Sequence, residues 1–73
     1  MPVTIKDVRH SDDRDGTLFM VDCMDASGAE FTVAMFQDND ENIYPPESGN
    51  SDISPLQVSD ALSAFKSWAV SHL

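Results

Sequence analysis

Basic side chains are nearly missing from this sequence. Its 73 residues carry four Lys plus Arg against 13 Asp plus Glu, a formal net charge of −9. Binding to nucleic acid or to an anionic membrane draws on Lys and Arg that neutralise negative charge, so direct contact with either is disfavoured. Long apolar runs are also lacking. Leu18 to Val21 and Val33 to Phe36 are the longest, far short of the roughly 20 residues of a membrane-spanning helix. Met1-Pro2-Val3-Thr4 carries no basic leader, and the expected location is cytoplasmic. A lone cysteine, Cys23, closes no disulfide within the chain, so packing has to hold the fold together. The length fits one domain over residues 1–73; a chain this short buries only about 60% of its unfolded surface, which leaves little room for a catalytic cleft.

The 41% of hydrophobic residues suffices for a small core, and its pattern predicts three strands. Val3, Thr4, Ile5 and Lys6 alternate apolar with polar, then the phase slips so that Val8 falls on the wrong side. A first strand over 3–9 with a bulge or an end near Asp7 accounts for that slip. Ser11-Asp12-Asp13-Arg14-Asp15-Gly16 reads as a turn, Thr17 to Met24 as a second strand and Ala29 to Phe36 as a third. Between the last two, Asp25-Ala26-Ser27-Gly28 suits a type I turn closed by a glycine at positive φ. With Asp25 opposite Ala29, Cys23 faces Phe31, Val21 faces Val33 and Phe19 faces Met35, all apolar and all on one face. A slip of one residue would set Cys23 against Glu30 and destroy that face.

Residues 37–54 read as a long acidic loop, with Ile43 and Tyr44 tacking its middle onto the domain. Ser54 then caps a helix over about 55–71, with Gln57 completing a capping box and Ile53 stapled to Val58. Val58, Ala61, Leu62, Phe65, Trp68, Ala69, His72 and Leu73 share one helical face, which should cover the apolar side of the sheet. The expected architecture is α+β, a two-layer β-β-β-α arrangement with a three-stranded antiparallel meander under a C-terminal helix.

In the helix Asp60 and Lys66 cancel, so the net charge lies entirely in residues 1–54. A meander brings its first turn and the end of its third strand to the same end of the sheet. Asp12, Asp13 and Asp15 are therefore expected near Asp38, Asp40 and Glu41, with Arg14 the single base that the sequence sets among them. This cluster is the candidate docking site for a basic protein; its plain alternative is a solubilising surface. A second group, Asp22, Asp25 and Glu30, belongs to the outer face or the opposite hairpin. Two secondary surfaces also stand out. The outer sheet face carries Leu18, Met20, Met24 and Phe36, with Tyr44 as a further contact; the helix carries a stripe of Ser59, Ser63, Ser67 and Ser71 that permits close approach of another chain.

Other chemistry finds little support, and neither a metal nor any other cofactor is expected. Ser11, Asp13, Asp15, Gly16 and Asp22 only partly imitate a calcium loop, beginning on serine and ending on the short aspartate, and the run from Asp38 would need a ligand at Gly49. Cys23, His10 and His72 offer neither the number nor the spacing of zinc ligands. Cys23 reads as a packed small hydrophobe, and no two carboxylates are paired for acid–base work, so an enzyme is not expected. In size, acidity and economy of fold the chain resembles the anti-restriction and anti-CRISPR proteins of bacterial viruses. That resemblance implies a nucleic-acid mimic that blocks a nucleic-acid-processing complex. The alternative is a structural or regulatory module, monomer or weak homodimer, binding through the serine stripe or the outer sheet face.

Overall fold

The computed structural model describes residues 3–46 and 50–72. In chain order it contains β1 (Val3–Asp13), β2 (Gly16–Asp25), β3 (Glu30–Asp38), β4 (Ile43–Tyr44) and α1 (Pro55–His72). The strands form one antiparallel sheet in the order β1-β2-β3-β4, and α1 packs on one face of it, so the fold is α+β.

The β2–β3 hairpin has the register that side-chain identity requires. Cys23 pairs with Phe31, Val21 with Val33 and Phe19 with Met35. Five of these six are buried, and Phe31 packs beside them. β1 solves its phase problem with a bulge: the register shifts between Ile5 and Asp7, after which Val8 pairs with Val21 and rejoins the core side. One inserted residue flips the alternation, which turns the apparent misfit of Val8 into correct placement.

β1 runs to Asp13 rather than ending near residue 9, and only Arg14 and Asp15 make the turn. Ser11, Asp12 and Asp13 pair with Leu18, Thr17 and Gly16. Their polarity suggested a turn, but an exposed edge strand accepts such residues once its partner holds the backbone. β3 similarly extends through Asp38.

The sheet has four strands where three were expected. After a tight turn Ile43 pairs with Gln37 and Tyr44 with Phe36, and Ile43 packs against the core. Farther along β3 the strand edge is closed by a side chain. The Asn50 amide donates to the Ala34 carbonyl (3.0 Å) and accepts from the Ala34 N–H (2.8 Å), standing in for a paired residue.

α1 begins with the expected capping box: the Gln57 N–H donates to Ser54 Oγ (3.2 Å), and the Ser54 N–H donates to Gln57 Oε1 (3.1 Å). Ile53 and Val58 both join the core margin. Ala61 and Phe65 are fully buried, with Leu62 and Trp68 packed around them. The Phe65 ring meets Phe19 of β2 at 4.9 Å, which ties helix to sheet, and stacks on Trp68 of its own helix at 5.5 Å. His72 stacks on Trp68 at 4.5 Å, its Nδ1 2.9 Å from the Trp68 carbonyl oxygen at the helix end. Leu73 lies outside the described residues.

The β2–β3 turn depends on Asp25. Its Oδ1 accepts from the Ser27 hydroxyl (2.6 Å) and from the N–H groups of Ser27 (2.9 Å) and Ala29 (3.0 Å). These bonds, the Ser27 hydroxyl foremost, hold the carboxyl below its ordinary value. A carboxyl lowered in the folded state adds stability above its unfolded value and loses that contribution as pH falls through the folded one. Asp25→Ala is therefore expected to lower urea stability at neutral pH, with the deficit narrowing as the solution is acidified below the carboxylate range. A deficit independent of pH would contradict this role.

Candidate functional site

The register gathers the two acidic runs. Asp13 pairs with Gly16, and Gly16 with Asp38, across three neighbouring strands. Asn39 Nδ2 donates to the Arg14 carbonyl (3.2 Å), which joins the two turns directly. The acids wrap around the end of the sheet. Asp12 and Glu41 line one cleft on the helix side with His10, Thr17 and Gln37. Asp13 and Asp38 fall at the end of the opposite face, while Asp15 and Asp40 sit in the turns.

These six carboxylates are not equivalent. Asp38 is half-buried, and its Oδ1 accepts from the N–H groups of Asp40 and Asn42, both at 2.9 Å, so it builds the turn it occupies. Asp13 Oδ1 accepts from the Arg14 N–H (2.6 Å). Asp12 takes a hydrogen bond from the Thr17 hydroxyl (3.2 Å) and lies 3.8 Å from His10 Nδ1. The hydrogen bonds described here engage neither the Asp15 nor the Asp40 carboxylate, nor that of Glu41, and all three residues are exposed. The helix contributes a base that sequence spacing did not place: Lys66 lines a cleft shared with Gln37, Glu41 and Ile43. Because the C-terminal half of α1 borders this end, the negative pole of the helix dipole also lies on the acidic side of the molecule.

The turn at Asp38 repeats the turn at Asp25. Asp38 N–H donates to the Asn42 carbonyl as Asp25 N–H donates to that of Ala29, both at 3.0 Å. Glu41 N–H returns to Asp38 as Gly28 N–H returns to Asp25, and each turn is capped by its leading aspartate. Gly28 has φ 90° and Glu41 has φ 69°. The second hairpin escaped sequence reading because its left-handed position holds glutamate rather than glycine. The shared signal was an aspartate five residues ahead of the next strand.

On the outer sheet face Leu18, Met20, Met24 and Phe36 are half-buried and Tyr44 is 42% exposed. Asp22 there binds Arg9 (2.9 Å) and the Thr32 hydroxyl (2.7 Å). Ser63 is exposed, as are Ser59, Ser67 and Ser71, on the far side of α1. Ser11, Asp13, Asp15 and Gly16 lie along a β-hairpin and Asp22 is held by Arg9, an arrangement unlike a loop wrapped around an ion. Gly49 lies outside the described residues. Among the described residues no three His, Cys, Asp or Glu side chains are placed to hold a metal, and no helix is long and apolar enough to cross a membrane. No family model matches this sequence, nor does any curated protein or solved structure.

Cys23 is buried, and burial first, then the charge of Asp22, pushes its thiol up to about 11. At pH 8 iodoacetamide should label the folded protein on the order of a few hundredfold more slowly than the unfolded chain. Labelling at equal rates would place Cys23 outside the core. Relieving the left-handed glutamate by Glu41→Gly is expected to raise stability by about 0.5–1 kcal/mol in urea titrations. A loss of stability would show that Glu41 makes contacts worth more than its backbone strain.

Proposed function

We propose that this chain is a non-enzymatic, cytoplasmic binding protein that seats its acidic end on the basic surface of another protein. In its most concrete form it is an inhibitor of the anti-CRISPR or anti-restriction type, occupying a groove built for nucleic-acid phosphates. The observation that carries this reading is the convergence of Asp12, Asp13 and Asp15 with Asp38, Asp40 and Glu41 through strand register. Adjacent strands lie about 4.8 Å apart, so Asp13 on β1 and Asp38 on β3 stand about 10 Å apart with Gly16 of β2 between them, and the turn acids Asp15 and Asp40 extend the array at the same end of the sheet. Such an array can displace counterions and phosphates from a basic groove and steer a partner towards itself. Arg14 and Lys66 stand near the array without balancing it.

Division of labour among the acids supports the same reading. Asp13 and Asp38 cap turns, whereas Asp15, Asp40 and Glu41 present charge to solvent. Glu41 is held in a left-handed conformation that glycine would adopt more cheaply, a form of strain that tends to collect where side chains have work to do.

The test keeps the turns intact. The triple substitution Asp12→Asn, Asp15→Asn and Asp40→Asn leaves the caps of Asp13 and Asp38 in place. Pull-downs from a bacterial lysate, with partners identified, are expected to recover a nucleic-acid-handling protein at low salt. Its affinity should fall steeply as salt rises, and the triple variant should lose at least about tenfold. A partner whose affinity ignores both salt and the three substitutions would overturn charge docking and favour an interaction module that binds through its apolar surface.

A further inference from the structure

The sheet has a second face that nothing in the described chain covers. α1 packs on the side of Phe19, Val21 and Met35. Of the described residues beyond β4, Pro45, Pro46, Asn50 and Ile53 lie there too, lining a cleft with Val58 and Leu62 of the helix. The shortest principal extent of the molecule is 16 Å, enough for one sheet and one helix layer. On the opposite face the register sets Leu18, Phe36 and Tyr44 in one cross-strand row, and Arg9, Met20 and the buried Ala34 in the next.

This apolar belt is shaped in advance. Phe36 lies over Gly16, where a Cβ would come within 2.8 Å of its Cζ, and the Tyr44 ring rests against it at 5.7 Å. Rigid aromatic pairs of this kind act as anchors at protein interfaces. Acids border the belt. Asp13 pairs with the same Gly16 that carries the Phe36 ring, Asp38 lies beyond it, and Asp7 and Asp22 occupy a row on the other side. Arg9 pairs with Met20 in the belt's own second row and reaches across to Asp22, which it neutralises at 2.9 Å.

We propose, building on the binding-protein reading above, that this bare face is the apolar half of the docking surface. Its occupant is another protein's surface that presents aliphatic side chains together with arginine. The charge pattern selects that partner. A second copy of this chain, also at −9, would bring like charges against Asp13 and Asp38, and an anionic membrane or nucleic acid meets the same repulsion. An arginine instead finds both of its preferred neighbours at one place, an aromatic face at Phe36 and Tyr44 and a carboxylate at Asp13. Leu18 and Met20 offer adjacent apolar surface, and the flexible Met20 thioether adapts to aliphatic groups of varied shape.

The probes are two synthetic peptides of equal charge, one alternating arginine with leucine and phenylalanine, the other oligoarginine with glycine spacers. They are titrated at low salt into the isotopically labelled full chain, and into Met20→Glu and Tyr44→Ser. Amide shifts are expected at Leu18, Met20 and Phe36 for the amphipathic peptide only, and each variant should weaken that peptide about tenfold or more, while oligoarginine is unchanged by Tyr44→Ser and not weakened by the added carboxylate of Met20→Glu. Since Tyr44 is 42% exposed, its variant keeps the test decisive if Met20→Glu disturbs folding. Equal affinity of both variants and the parent for the amphipathic peptide would overturn the inference while leaving the acidic end as a docking site. Failure of both peptides to bind would overturn both readings. A dimer of the free protein that Tyr44→Ser dissociates, or adsorption to phosphatidylcholine vesicles that Tyr44→Ser abolishes, would assign the face to a different occupant and overturn it as well.

Discussion

The contact of Phe65 and Ala61 with Phe19, Val21, Val33 and Met35 governs the rest of this molecule. All six side chains are essentially withdrawn from water, and they belong to α1 and to β2 and β3, the two strands being joined also by their backbone ladder. With one cysteine and 73 residues, the chain has no crosslink to fall back on and a modest core to spend, so each buried side chain carries a large share of its stability. Because side chains alternate along a strand, burying this set fixes strand register to the residue. Register in turn decides which turns become neighbours. The acidic end of the molecule is a consequence of this packing, even though no acid takes part in it.

Gathering like charge opposes folding, and the structure shows how local bonding limits the cost. Asp25 and Asp38 each cap the turn that they begin, Asp22 is paired with Arg9 and bonded by Thr32, and Asp12 accepts from Thr17 beside His10. The remaining charge stands in solvent, where a screening length of about 8 Å at physiological salt weakens repulsion between turns. The acids thus divide into those that shape backbone and those that face outward, and Asp13, Asp38 and Asp22, which are bonded locally, border the apolar outer face together with Asp7. A charged rim around an apolar centre is the common anatomy of protein interfaces.

How much of this could be read from sequence differs by element, for physical reasons. The β2–β3 register was legible because three cross-strand pairs had to be apolar at once, and a slip would have opposed Cys23 to Glu30. The helix start was legible because Ser54 and Gln57 satisfy each other's backbone groups at a fixed spacing. The bulge in β1 was visible as the phase error at Val8. By contrast, β4 is two residues long and carries too little pattern to register as a strand. Its turn concealed itself by placing Glu41 where glycine is usual. Asn50 closes the β3 edge with a side chain sixteen residues away, a tertiary contact that no local signal announces. The same holds for Lys66, which only the helix's path brings to the acidic end.

What unites these features is one alignment of β2 with β3, and a nuclear Overhauser spectrum reads it most directly. Residues paired without mutual hydrogen bonds in an antiparallel sheet bring their α-protons close together. Strong Hα–Hα cross-peaks are predicted between Leu18 and Phe36 and between Met20 and Ala34, together with a contact between the Asn39 side-chain amide and Arg14. Cross-peaks from Leu18 to Met35 or Gln37 instead, with no contact between the two acidic turns, would contradict the account at its root.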